Sequence, residues 1–382
     1  MGKGKGAMEK RKFEKIQAEV SLLGYGCMRL PKLFEDKNDI DWKEAEKLID
    51  YAYTHGVNYF DTAYPYHAGE SERFIGSALK KYPRDSFFLA SKLPVWLLKE
   101  PDDVDRILEE QLEKCQVDYF DFYLCHNLSH DHFEAVLKYD VLKRLLKKKE
   151  EGKIRRLGFS FHDKPEMLEK IIQYHHWDFA QIQLNYLDWE MQNAKRQYEL
   201  LEENGIPCIV MEPVRGGALA TLSDQAVAEL KKAEPEKSVA SWAIRYAASL
   251  PNVMTVLSGM STMEQVKDNV DTMTNFRPLT AEDQAVLARA LKIYRENVTI
   301  PCTGCRYCMD CPAGVDIPAV FSVYNRYAVG KNKNSFKTEY EQLGAEKQAS
   351  NCVSCRRCME HCPQGIDIPA RMAEIDAAVK AL

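Results

Sequence analysis

From residue 20 onward, short apolar runs alternate with stretches whose apolar positions recur every three to four residues. "VSLLGYG" (20–26) leads to a helical pattern over 41–55, and then comes "VNYFDTA". A helix over 70–81 precedes "FFLASK", one over 102–115 precedes "YFDFYLCH", and one over 133–150 precedes "IRRLGFS". Helices over 164–174 and 193–204 lead into "FAQIQLNY" and "PCIVMEP"; two more helical patterns precede "MTVLSG" and one follows it. Period 2 or fully apolar runs argue strand, and a 3.6 period argues helix. Pro101-Asp102 marks a helix start, Gly205 to Pro207 a stop, and Pro278-Leu279-Thr280-Ala281-Glu282 opens a helix over 281–297.

Eight strand–helix units in succession predict an α/β fold with a parallel sheet, and units of this length predict a closed (β/α)8 barrel. An open doubly wound sheet is the rival, since periodicity does not report closure. The boundary is placed near Val298: residues 1–15 form an N-terminal tail (1 to about 7 being Gly/Lys-rich and left out of the fold), 16–297 the barrel, and 298–382 a second, small domain.

The second domain is announced by cysteines. "CTGCRYCMDCP" (302–312) and "CVSCRRCMEHCP" (352–363) hold eight of the twelve in the chain. Cys352, Cys355, Cys358 and Cys362, the last followed by proline, have the bacterial ferredoxin spacing for a [4Fe–4S] cluster. In two-cluster ferredoxins the fourth cysteine of such a run ligates the other cluster. The upstream set, Cys302, Cys305, Cys308 and Cys311, is one residue shorter between its last two members. "CPAGVDIPA" and "CPQGIDIPA" extend the repeat, which implies a duplicated, α-rich ferredoxin-like unit with a helical insert near 319–327. Zinc or disulfides are the bland alternative, but zinc pairs two Cys-x2-Cys elements and needs no Cys-Pro. Cys27, Cys115, Cys125 and Cys208 have no ligand spacing and read as buried thiols.

Composition narrows the class. Hydrophobic residues make up 45% and charged ones 29%, and the net charge of −5 is dispersed, so nothing suggests nucleic acid and no nucleic-acid partner is expected. No apolar run approaches 18 residues and no signal-peptide core is present, so no membrane partner and a cytoplasmic address are expected, where clustered thiols bind metal.

In a barrel of this kind chemistry sits at the carboxyl ends of the strands. Those ends offer Asp61 and Tyr66 after the second strand, Lys92 after the third and His126 after the fourth. Taken singly, they read as a turn residue, loop packing, a surface charge and a satisfied histidine. Together they suggest a proton relay. Lys92, held by Asp61, would lower the pKa of the Tyr66 phenol, and neutral His126 would aim a carbonyl oxygen at it.

"FDTAYPYHAGESERFIG", "LASK" and "YLCH" are similar to the signature of the aldo-keto reductases, over roughly residues 16–290. The resemblance implies a TIM barrel, Tyr66, Asp61, Lys92 and His126 as catalytic residues, and a small carbonyl or alcohol substrate. It also implies nicotinamide contacts at Ser160, Gln181 and Asn185, whose side chains carry the donors and acceptors a carboxamide needs. Two positions depart from the pattern. Met211 stands where the family often stacks an aromatic ring, and Gln265 where an arginine grips the 2′-phosphate of NADP, although Gly259 and Asn269 match that clamp. NADH, NADPH and a flavin nucleotide therefore stay open. Among the other histidines, His67 is a candidate for the substrate mouth, and His175-His176 reads as a helix end.

Hydride transfer moves two electrons at once and a cluster moves one. Three functions follow: an aldo-keto reductase-type oxidoreductase carrying two [4Fe–4S] clusters; a flavin-linked enzyme exchanging electrons with a ferredoxin-like or flavodoxin-like partner; or a non-catalytic nucleotide-binding electron-transfer or sensing subunit.

Overall fold

The computed structural model describes residues 7–34, 39–295, 300–330 and 332–382. The expected boundary at Val298 lies outside them. Eight parallel strands close into a barrel, and closure excludes the open-sheet alternative. In chain order there is a hairpin of β1 (Lys10–Phe13) and β2 (Ala18–Ser21). The barrel strands follow: β3 (Leu23–Gly26), β4 (Tyr59–Asp61), β5 (Phe88–Leu93), β6 (Phe120–Leu128), β7 (Ile154–Phe161), β8 (Phe179–Gln183), β9 (Cys208–Met211) and β10 (Val253–Ser258). Neighbours pair in sequence order and β10 returns to β3 through Val256↔Leu23.

The hairpin includes residues that the sequence reading left in an N-terminal tail. "KRKF" shows little apolar signal, yet it pairs antiparallel with "AEVS". Ile16, Ala18 and Val20 then pack under the barrel against Tyr59, Phe122 and Phe179. Arg11 fixes the hairpin by donating to the carbonyls of Ala248, Leu250 and Val253.

The helices follow the predicted order with one split. The stretch 133–150 is two helices, His130–Lys138 and Val141–Glu150. They part at Asp140, whose φ of 50° lies in the left-handed region that aspartate tolerates better than most residues. Helices Glu70–Leu79 and Asp103–Cys115 approach so closely at Gly76 that a Cβ there would lie 2.3 Å from the Cys115 carbonyl oxygen. No helix among the described residues is long and apolar enough to cross a membrane.

The chain divides into two compact units, Met1–Pro213 with Ser241–Leu279, and Val214–Ala240 with Thr280–Leu382. The second takes more of the chain than the cysteine region. Helix Asp224–Ala233 packs with helix Ala281–Arg295 there, helped by an Arg289–Glu229 pair at 3.2 Å. The sequence reading placed both helices with the barrel. The same unit holds a small core of Val315, Ile317, Val320, Phe321, Ile366, Ile368, Met372 and Ile375. Its insert is helix Ile317–Gly330 followed by Lys333–Glu341, longer than expected.

Candidate active site and cysteine recesses

Asp61 ends β4 and Lys92 lies one residue before the end of β5, so the pleat and register bring their side chains together inside the barrel's carboxyl end. Lys92 is fully buried, and its ammonium donates to Asp61 Oδ1 at 2.5 Å, the Thr62 carbonyl at 2.7 Å and the Tyr66 hydroxyl at 3.4 Å. Three N–H groups thus meet three acceptors, which accounts for every proton the ammonium has. Lys92 Nζ also lies 4.9 Å from the centroid of the Tyr66 ring. His126, from β6, presents its ring edge-on to Tyr66 at 6.1 Å between centroids. The four predicted residues therefore surround one pocket.

The expected electrostatics of Tyr66 needs correction. Its pKa lies well above that of a free phenol, chiefly because burial disfavours the phenolate; Asp61, Cys27 and Glu212 push the same way, and Arg29 opposes them. Reading the chain counted the lysine but not the dehydration, nor the carboxylate that offsets it. His126 is pushed the other way, well below the usual imidazole value, first by burial and then by Lys92. At neutral pH the pocket holds a neutral phenol and a neutral imidazole.

Residues that sequence reasoning passed over support this arrangement. The Ser71 hydroxyl meets Thr62 Oγ1 at 2.8 Å. Glu72 accepts from Ser91 Oγ and from Gln111 Nε2, each at 2.6 Å, and Gln111 also donates to the Lys92 carbonyl at 3.0 Å. The Ser-Glu pair of the signature thus braces the strand that carries Lys92. Trp96 lies 5.0 Å from His126 and 5.4 Å from His132 between ring centroids, an aromatic wall 37% exposed. His67 is buried and its Nε2 accepts from the Leu30 amide at 3.2 Å, so it anchors a loop. Tyr66 is followed by three left-handed residues, His67, Ala68 and Gly69 (φ 51°, 55° and 94°). Such backbone persists where its surroundings over-determine it.

The predicted cofactor residues divide. Gln181 has a buried Oε1 with no hydrogen-bond partner, while its Nε2 lies 3.4 Å from the Met211 sulfur. Ser160 Oγ accepts from the Asn127 amide at 2.7 Å and keeps its own proton to donate. Asn185 is already engaged: Nδ2 donates to Asp188 Oδ2 and the Glu212 carbonyl, and Oδ1 accepts from the Leu187 and Asp188 amides. In this geometry it holds the loop and has nothing left for a carboxamide. Asn269 donates to Ser258 Oγ at 2.9 Å, and Gly259 lies against the Arg29 side chain. Gln265 Oε1 accepts from the Ser261 amide at 2.7 Å at the start of helix Met263–Thr274. Of the buried side-chain atoms left without a hydrogen-bond partner, three belong to predicted site residues: Gln181 Oε1, Asp61 Oδ2 and His126 Nδ1. An unpartnered buried acceptor costs about 1–3 kcal/mol, which a bound nicotinamide amide at Gln181 would relieve.

In the second unit the eight clustered cysteines line two small recesses, four to each. Cys302, Cys305 and Cys308 share one with Cys362; Cys352, Cys355 and Cys358 share the other with Cys311. Each run therefore lends its last cysteine to the other recess. The backbone repeats with the sequence. Gly304 matches Ser354, Arg306 matches Arg356 and Gly314 matches Gly365, every one at positive φ. Asp316 and Asp367 both cap the helix that follows, each accepting at 3.2 Å from the amide three residues on. The missing residue of the first run falls in the turn before Cys311, where the second run forms a short helix, Arg357–Glu360. The four cysteines of a set line one common recess. Four thiols around one recess are the ligand set that a cubane with iron at its corners takes. Cys27, Cys115, Cys125 and Cys208 are buried thiols apart from these sets; burial pushes Cys125 up to about 12.

Barrel, polar pocket and cysteine unit together define an oxidoreductase built on a (β/α)8 scaffold with an iron–sulfur domain. The chain belongs to the aldo/keto reductase family, whose sequence pattern it matches over residues 22–292; a 4Fe-4S dicluster domain matches residues 301–366. It is 27% identical over 331 residues to L-galactose dehydrogenase of Arabidopsis thaliana, covering 77% of this chain and 97% of that one. It is 27% identical over 275 residues to the NADH-specific methylglyoxal reductase of Escherichia coli (61% and 83% covered). An aldo-keto reductase of Bacillus halodurans in its holo form superposes with a TM-score of 0.63 at 25% identity, over 74% of this chain and 96% of that one.

Proposed function

We propose that the barrel interconverts a small carbonyl and its alcohol with a nicotinamide cofactor, and that the second unit carries two [4Fe–4S] clusters. The observation that carries the first part is the buried Asp61–Lys92–Tyr66 chain with His126 facing the same phenol. The nicotinamide, when bound, supplies or accepts the hydride. Gln181 Oε1 and the Ser160 hydroxyl would hold its carboxamide. Gln265 is neutral and already bonded, so it brings no charge to a 2′-phosphate, and NADH is the favoured form. The NADH specificity in the name of the Escherichia coli relative points the same way.

Tyr66 keeps its proton at neutral pH and can hand it to the oxygen of a carbonyl under reduction. The Lys92 ammonium donates to the Tyr66 oxygen and so stabilises the charge left there. Asp61 holds Lys92 in place, and uncharged His126 orients the carbonyl oxygen by donating a hydrogen bond. Trp96 screens His126 from water on the mouth side, which favours an apolar flank on the substrate.

The two cluster sets rest on the crossed recesses, and double variants test them. Anaerobically prepared protein should hold about eight iron and eight sulfide, and Cys362→Ser about half of that. Adding Cys305→Ser, from the same recess, should remove no more; adding Cys355→Ser should remove nearly all. Zinc without sulfide, or the reverse pattern of losses, would defeat the assignment.

A second reading, a flavin-linked enzyme passing electrons to a ferredoxin-like carrier, has one observation in its favour. Cys355 is exposed beside Val353, which is 66% exposed, and beside the exposed Arg356 and Arg357, an accessible edge with positive charge for an acidic partner. Acid precipitation separates the two: released flavin supports the second reading, while a flavin-free protein that oxidises NADH with aldehydes supports the first.

A further inference from the structure

The two recesses share a motif but differ in their surroundings. Arg306 and Arg356 occupy equivalent places and each lines its own recess, but the Arg306 charge is paired with Asp316 at 3.3 Å. Arg215 breaks the symmetry. It is 1% exposed, and its Nη2 donates to the Pro301 carbonyl at 2.9 Å and to Gln364 Oε1 at 3.1 Å. Pro301 precedes Cys302; Gln364 follows Cys362 by two residues and lines the first recess. Those two bonds set the guanidinium against the residues that flank Cys302 and Cys362. Its backbone is left-handed (φ 50°) and leads into Gly216 and Gly217 at 62° and 98°. That conformation is held at a cost of about 1–3 kcal/mol for a residue with a Cβ, and here it delivers a long side chain into the interior.

A guanidinium stays charged at every working pH. Adding one electron to a [4Fe–4S] centre with four thiolates makes an anion more negative, and a buried cation nearby favours that form. Net charge and hydrogen bonding are among the levers that set such potentials. We propose that Arg215 raises the reduction potential of the centre held by Cys302, Cys305, Cys308 and Cys362, and not that of its twin, biasing which of the two is reduced first. This rests on the reading of two clusters above.

The test is an EPR-monitored titration of the anaerobic full-length protein with dithionite and mediators. Wild type should give two one-electron waves. In Arg215→Gln one wave should move to more negative potential by at least tenfold in its equilibrium constant, about 59 mV for a one-electron couple, with the other unmoved. Arg215→Lys, which keeps the charge, should restore most of the shift. The wave that moves should be one that Cys362→Ser abolishes. Two unmoved waves, or two that move together, overturn the proposal. If Arg215→Gln fails to assemble its first centre, Arg215→His decides: one wave should become more negative as pH rises and the side chain loses its charge, and a pH-independent wave overturns the proposal. Wild-type protein with fewer than two waves would instead remove the two-cluster reading on which the proposal rests.

Discussion

The barrel pocket and the cysteine recesses handle buried chemistry in opposite ways. Lys92, at zero exposure, finds Asp61, a carbonyl and a phenol within its own chain, so the buried charge is satisfied before any ligand arrives. The recesses gather four thiols each around a space, with loops at positive φ and a small apolar core behind them. A thiol is a weak hydrogen-bonding group, and four together do not replace what a metal centre would bind. The barrel should therefore outlast its cofactor, while the second unit should depend on its own.

The largest expected effect tests that contrast. Removing iron with a chelator and a mild oxidant should speed amide exchange in helices Ile317–Gly330 and Ile368–Lys380 by on the order of 10⁴-fold, roughly 5.5 kcal/mol. Strands β4 to β7 should stay protected. Equal protection in both regions would mean that the second unit holds itself together, and the contrast would fall.

The next effect attacks the barrel's self-sufficiency. Asp61→Asn leaves the Lys92 ammonium buried without its carboxylate and should cost about 3–5 kcal/mol in urea unfolding of the barrel. Pairing it with Lys92→Met should recover most of that loss. A neutral single variant would show that water or rearrangement already compensates the charge.

A smaller effect concerns pH. Burial holds His126 well below the ordinary imidazole value, and it brings His162 down to about 4. Between those values and about 6.5 the unfolded chain binds more protons than the folded one, so stability falls as pH drops through 6.5. His162 gives up its full share only near pH 4. His162→Gln should lessen the stability lost between pH 7 and pH 4 by about 1–3 kcal/mol, read from urea midpoints of variant and parent. Carboxylates titrate in both proteins and cancel. An unchanged pH slope would show that His162 is hydrated in the native state.

What could be read from the chain depended on whether a residue's role is local. Asp61, Lys92 and His126 were legible because each interrupts an apolar strand at its end, and Tyr66 because the signature surrounds it. The crossing of Cys311 and Cys362 was foreshadowed by spacing and by the repeat. Other features were hidden because they arise only in packing. "KRKF" becomes a strand through its partner and through Arg11 reaching three carbonyls. Asp140 divides a helix whose apolar period runs on past it. The Tyr66 phenol is governed by dehydration, which a sequence does not display. Arg215 and helix Asp224–Ala233 sit within the stretch that matches the barrel family, yet they group in the compact unit that holds the cysteines.

The central claim is that Tyr66 is the proton donor for hydride transfer in the barrel. Single-turnover reaction of NADH with an aldehyde, in wild type and in Tyr66→Phe, tests it most directly. The account predicts a rate loss of about 10²–10⁴-fold, with nucleotide affinity changed by less than about twofold. A variant that turns over at the wild-type rate would contradict it.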